Sequence, residues 1–221
     1  MVADWSVECS AEDPVLVVPW TFAGTFTGTV AEGTTGISPG PTASGQSRAD
    51  FVDLRENPYD LDQIPEAEQY PALMQALRAL NAPRSAVFTA KCDAWPLDSA
   101  ELDHLREQLD VRPDAHEAAG SGFASYIDRI WRDRTIFASL HQSEQLLHRL
   151  ARLAAPIDQP SAMLDCILRP AMVDLTGPQE GFAISLYIKA LAPDAYTAKQ
   201  IWASALEAVV AVLRGKDISM G

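Results

Sequence analysis

At 221 residues the chain can bury a full core as one domain or as a domain with a long extension. Its formal charge of −13 argues against nucleic-acid and anionic-membrane partners, since both are polyanions that reward basic patches. With 48% hydrophobic residues but no run approaching the roughly 18 apolar residues of a membrane span, it reads as a soluble globular protein.

The first residues, Met1 to Cys9, hold neither a basic stretch nor an apolar one, so no secretory signal is expected and the cytoplasm is the default location. Trp5–Cys9 and Val15–Val18 are strand-like runs broken at Glu12-Asp13-Pro14. Residues 21–50 are rich in Gly, Thr, Ser and Pro with almost no charge. They contain neither the Walker phosphate loop nor the dinucleotide glycine pattern, so they read as an irregular or flexible excursion, with a small hairpin possible in Thr21–Val30.

Order returns at Phe51–Arg55. A helix follows with Pro65 in its first turn and a stripe of Leu73, Met74, Leu77 and Leu80, ending at Asn81-Ala82-Pro83; Pro71 places the start of its continuous part. Ser85–Trp95 is a strand with Ala86, Phe88, Ala90, Cys92 and Ala94 on one face and Thr89, Lys91, Asp93 and Trp95 on the other. Asp98 and Glu101 have the spacing of a capping box opening a helix to about Leu109. The acidic bias from Asp98 to Glu117 reads as a solvated helix face. In Phe123–Trp131, Phe123, Ile127 and Trp131 compete with Tyr126 and Ile130 for the interior. A helix is expected over 135–154, with Leu140, Leu147 and Leu150 along one side.

Two long alternating strands come next. Ala162, Leu164, Cys166 and Leu168 share a face opposite Met163, Asp165, Ile167 and Arg169. Beyond a turn at Gly177-Pro178, Phe182, Ile184, Leu186 and Ile188 lie opposite Ala183, Ser185, Tyr187 and Lys189. Asp194 caps a final helix carrying Ala198, Ile201, Trp202, Ala205, Val209 and Val212. The succession predicts one α+β domain over 1–221, a two-layer sandwich in ferredoxin-like order (βαββαβ with insertions) plus an extra C-terminal strand and helix.

The phasing gathers Lys91, Asp93, Trp95, Asp165, Arg169, Ser185, Tyr187 and Lys189 on the polar face, joined by Tyr126 and Asp128 if their strand takes that phase. This face is the expected working surface of a binding or assembly module, with a protein partner or a second copy in a homo-oligomer. Trp95, Tyr187 and Ile167 would serve as anchors. The alternative is a small hydrolase or isomerase using Asp93 and Asp165 as acid and base with Tyr187; cross-strand ion pairs with no ligand are the plainest reading.

His141, Glu144 and His148 share a helix flank, but the spacing is not that of zincins and no fourth ligand is specified, so a solvated Glu144–His148 pair is expected rather than a metal site. Cys9, Cys92 and Cys166 form no Cys-x-x-Cys pair and read as buried free thiols of a reducing compartment. No nucleophile motif or cofactor fingerprint is present.

Overall fold

A computed structural model describes residues 1–8, 14–17, 54, 57, 60–111 and 120–215. Cys9, most of the 51–55 run and the 21–50 excursion with its hairpin lie outside the described residues, as do Arg112 to Ala119 at the end of the acidic run. The strands are β1 (Val2–Val7), β2 (Val15–Val17), β3 (Val87–Pro96), β4 (Ser121–Trp131), β5 (Ala162–Asp174) and β6 (Pro178–Ala192). The helices are α1 (Pro65–Gln69), α2 (Pro71–Leu80), α3 (Ser99–Gln108), α4 (Arg134–Phe137), α5 (Leu140–Ala154) and α6 (Ala195–Arg214), with a 3₁₀ turn at Asp60–Gln63.

Local chemistry accounts for the helix boundaries. Tyr70 precedes a proline and is extended, so it ends α1 and starts α2. The Asp98 carboxylate accepts from the Glu101 N–H while Glu101 reaches back to the Asp98 N–H, completing the expected capping box. Asp194 caps α6 through the Thr197 N–H at 2.9 Å, also as expected. The helix expected over 135–154 is two helices. Asp133 caps α4 and Ser139 caps α5, and the chain turns between them at Ala138.

The protein is an α+β structure built on a mixed sheet, six-stranded among the described residues. Pairing runs β1-β5-β6-β4-β3, with β2 on the same edge of β5 as β1; β1 and β2 are parallel to β5 and the other pairings are antiparallel. Elements succeed one another along the chain as expected, but the spatial order differs from the ferredoxin-like one. That order would place β1 between β5 and β4; β6 holds that place, and β1 lies outside β5. The short turn after Asp174, with Gly177 at φ +127°, folds β6 directly back on β5, so the extra strand becomes central rather than peripheral.

The helices cover one face: α5 over β1 and β5, α6 over β6 and β4, and α2 over β3. Leu164, Cys166, Leu168, Ile184, Leu186 and Ile188 are buried beneath them in the expected phase. In β4, Phe123, Ile127 and Trp131 win the helix side: Phe123 packs edge-on to Trp202 of α6, whose indole N–H bonds the buried Ser125 hydroxyl at 2.8 Å. The register of β3 shifts between Thr89 and Cys92, so its phase inverts at that point. Cys92 and Ala94 keep the helix side, but Phe88 pairs with Ile130 on the opposite face and Thr89 pairs with Arg129 on the helix face.

Arg129 is the least expected occupant of the helix face. Its side chain is 1% exposed, and among the described residues none of its guanidinium nitrogens has a hydrogen-bond partner. The Trp131 ring lies 4.7 Å below the guanidinium. Burial lowers its pKa to about 10, which leaves it protonated at neutral pH. A buried cation without a counter-charge costs several kcal/mol, of which a cation–π contact returns about 2. Arg129→Met is therefore expected to raise stability by about 1–4 kcal/mol in urea titration; a loss of stability would contradict the uncompensated charge. Gly181→Ala should destabilise, because an added Cβ would collide with the Phe137 carbonyl and ring.

Candidate functional site

The other face carries the polar residues. One register row runs Asp4, Asp165, Tyr187, Tyr126, Asp93 across five strands, and the next runs Ser6, Ile167, Ser185, Asp128. Tyr126 and Asp128 thus join the expected set. The face is neither flat nor fully solvated. Cα atoms of β2 and β3, which belong to opposite sides of the pairing order, approach within 8 Å, so the sheet curls towards its polar side. Asp128 and Ser185 are buried there, Tyr126, Arg169 and Tyr187 are half-buried, and Lys91 is exposed.

The curl forms a pocket of about 210 Å³ lined by Pro14, Val15, Lys91, Tyr126, Asp128, Arg169 and Tyr187. The Ser185 hydroxyl donates to Asp128 Oδ1 at 2.5 Å. Arg169 pairs through Nε with Glu8 at 2.9 Å, bonds the Tyr187 hydroxyl, and stands 5.9 Å from the Tyr187 ring. Tyr126 and Tyr187 have ring centroids 5.7 Å apart, and Trp95 meets Tyr126 edge-on at 6.2 Å. One aromatic each from β3, β4 and β6 thus forms a continuous strip that ends on Arg169 of β5.

Burial first, then the Asp128 and Asp93 carboxylates, push the Tyr126 phenol up to about 12. Burial also raises Tyr187, with Arg169 opposing the rise. Asp165 is raised by burial, against the pull of Lys189 and with the push of Asp4 and Glu8.

Of the seven residues expected to bind a ligand or partner, Lys91, Arg169 and Tyr187 line the pocket. Asp93, Trp95, Asp165 and Lys189 share the face without lining it. Asp93 and Asp165 lie on β3 and β5 with β4 and β6 between them, three strand spacings or about 14 Å along the sheet. Carboxylate pairs acting on one bond sit within about 10 Å. Pro14, Val15 and Glu8 were not foreseen, because the parallel pairings of β1 and β2 beside β5 have no local sequence signal.

Elsewhere, His141 bonds Gln145 at 2.9 Å and His148 packs on Trp5 at 3.9 Å between centroids. No group of three His, Cys, Asp or Glu suited to a metal occurs among the described residues. A hollow of about 460 Å³ between α3 and β4 has Arg106 tied to Asp103 at 2.8 Å. No helix among the described residues is long and apolar enough to cross a membrane.

Burial pushes Cys92 and Cys166 from 9.0 to about 12 and, with nearby carboxylates, Tyr126 from 10.0 to about 12. Each group binds its proton more tightly when folded, so its contribution is intact below the unfolded value and is lost as pH rises through the folded one. Arg129, lowered from 12.5 to about 10, acts in the opposite sense over the upper part of that range. Among the described residues Cys92, Cys166 and Tyr126, with Tyr187 raised in the same sense, outweigh Arg129 and give a net loss of stability between pH 9 and pH 12, which thermal melts across that window will check. Comparison of the chain with models of known protein families, with curated proteins and with solved structures finds no match to any of them.

Proposed function

We propose that this protein is a binding module whose working surface is the polar face of its sheet, and that the ligand is a small polar molecule held in the pocket between Tyr126, Tyr187, Lys91 and Arg169. The observation that carries the reading is the convergence of those side chains around one concavity closed by Pro14 and Val15. Small-molecule sites are concave, with an apolar and aromatic lining and a few placed polar groups. At about 210 Å³ the space is below the roughly 300–1,000 Å³ of drug-sized sites, which favours a compact ligand. The acid–base alternative built on Asp93, Asp165 and Tyr187 is weakened by the separation of its carboxylates.

Self-association is a second reading, supported by β1: Trp5 is 43% exposed and Val2 40% on an outer strand of the sheet. Unpaired strand edges with apolar side chains recruit partners. Light scattering after size-exclusion chromatography separates the two sites. Trp5→Glu should dissociate a dimer formed through β1, and Tyr187→Glu should leave it intact. If Tyr187→Glu alone produces monomers, the polar face is the interface and the small-ligand reading falls.

Val15→Trp should fill the pocket from its apolar wall. The expected outcome is loss of ligand-induced thermal stabilisation with the far-UV circular dichroism of the wild type. Undiminished stabilisation in the variant would place ligand binding elsewhere.

A further inference from the structure

The balance of donors and acceptors in this pocket defines a ligand class, an inference that rests on the small-ligand reading. The lining is rich in donors. Lys91 contributes an exposed ammonium with no ion pair among the described residues. Tyr126 and Tyr187 keep their phenolic protons at neutral pH, since both titrate above the ordinary tyrosine value. Arg169 spends its Nε on Glu8 and one further contact on Tyr187, leaving the Tyr187 O–H as a donor. Among the described residues the one lining carboxylate, Asp128, is 5% exposed and accepts the Ser185 hydroxyl.

Charge narrows the class further. Glu8 offsets Arg169, and Asp128 faces the same space as Lys91, so the described lining has no excess of positive charge that would attract a dianion. Asp4, Asp93 and Asp165 stand on the same face around it and repel multiply charged anions. Against the donors, Pro14 and Val15 form a short apolar wall. We propose that the pocket takes a short-chain monocarboxylate, its carboxylate on Lys91 and the Tyr126 and Tyr187 hydroxyls and its aliphatic end on Pro14 and Val15. A protonated amine would meet two cations, Lys91 and Arg169, in so small a space, and a neutral alcohol would leave the ammonium unanswered.

The test is an amide NMR titration of the full chain with butanoate, butan-1-ol, butylammonium and inorganic phosphate, followed at Tyr126, Asp128, Ser185 and Tyr187. Butanoate is expected to shift these amides saturably and to bind more tightly than the other three. Lys91→Met, a change at an exposed side chain, should weaken butanoate about tenfold or more, the loss of one charge-assisted contact. Tyr126→Phe should weaken it by a smaller factor and gives a second variant at the same site. Equal or tighter binding of the amine or the alcohol at these amides would overturn the carboxylate class while leaving the pocket as the ligand site. Tighter binding of phosphate would overturn the single charge. If no probe shifts these amides at high millimolar concentration, the small-ligand reading fails and the carboxylate assignment fails with it.

Discussion

The β5–β6 hairpin is the constraint on which the rest of the structure depends. Its register runs unbroken from Ala162 opposite Ala190 to Asp174 opposite Pro178. The alternation of both strands is locked by that pairing, because a slip of one residue would carry Leu164, Cys166, Ile184 and Leu186 out from under the helices and put Asp165 and Tyr187 there instead. With β6 folded back on β5, its other edge receives β4, and β4 carries β3. The outer edge of β5 receives β1 and β2. α6 follows β6 directly, lies over β6 and β4, and anchors its Trp202 on Ser125.

The two faces of this sheet handle charge in opposite ways. The polar face distributes it: Arg169 has Glu8 and Tyr187, and Asp128 has Ser185. The helix face concentrates a full charge on Arg129 beneath the helices, with an aromatic ring as its neighbour. Asp128 and Arg129 are adjacent in sequence and project to opposite faces, opposite the place where β3 shifts register. Bulges gather beside functional sites because they re-aim side chains. Here the shift keeps Lys91 on the pocket side while sending Thr89 to the helix side.

Much of this was legible in the chain. Alternation separated the polar and helix-covered faces of β5 and β6, and the capping box at Asp98 and the Asp194 cap were readable because such signals are local. The strand order was not, since pairing is a tertiary choice: nothing within residues 178–192 distinguishes an edge strand from a central one. The inverted phase at Phe88 came from a bulge, which no period-two count detects. Arg129 sat in an alternation shared with Ile127 and Trp131, yet nothing in the chain announced that so costly a side chain would be buried. Three of the seven expected site residues reached the pocket. The rest share its face, because register fixes a side of the sheet but curvature decides which residues converge.

The wall formed by Pro14 and Val15 hangs on a ladder of three residues, Val15–Val17, joined in parallel to Ala171–Val173, more than 150 residues further along the chain. So short a ladder between such distant segments carries a large loop-closure cost for few hydrogen bonds. Val15 and Val17 are buried in the apolar core, so opening the ladder both widens the pocket and uncovers core surface. On the proposed reading, occupancy of the pocket and hydrogen-exchange protection of the Val15–Val17 amides would form a single linked equilibrium, with a bound ligand slowing exchange at the strand.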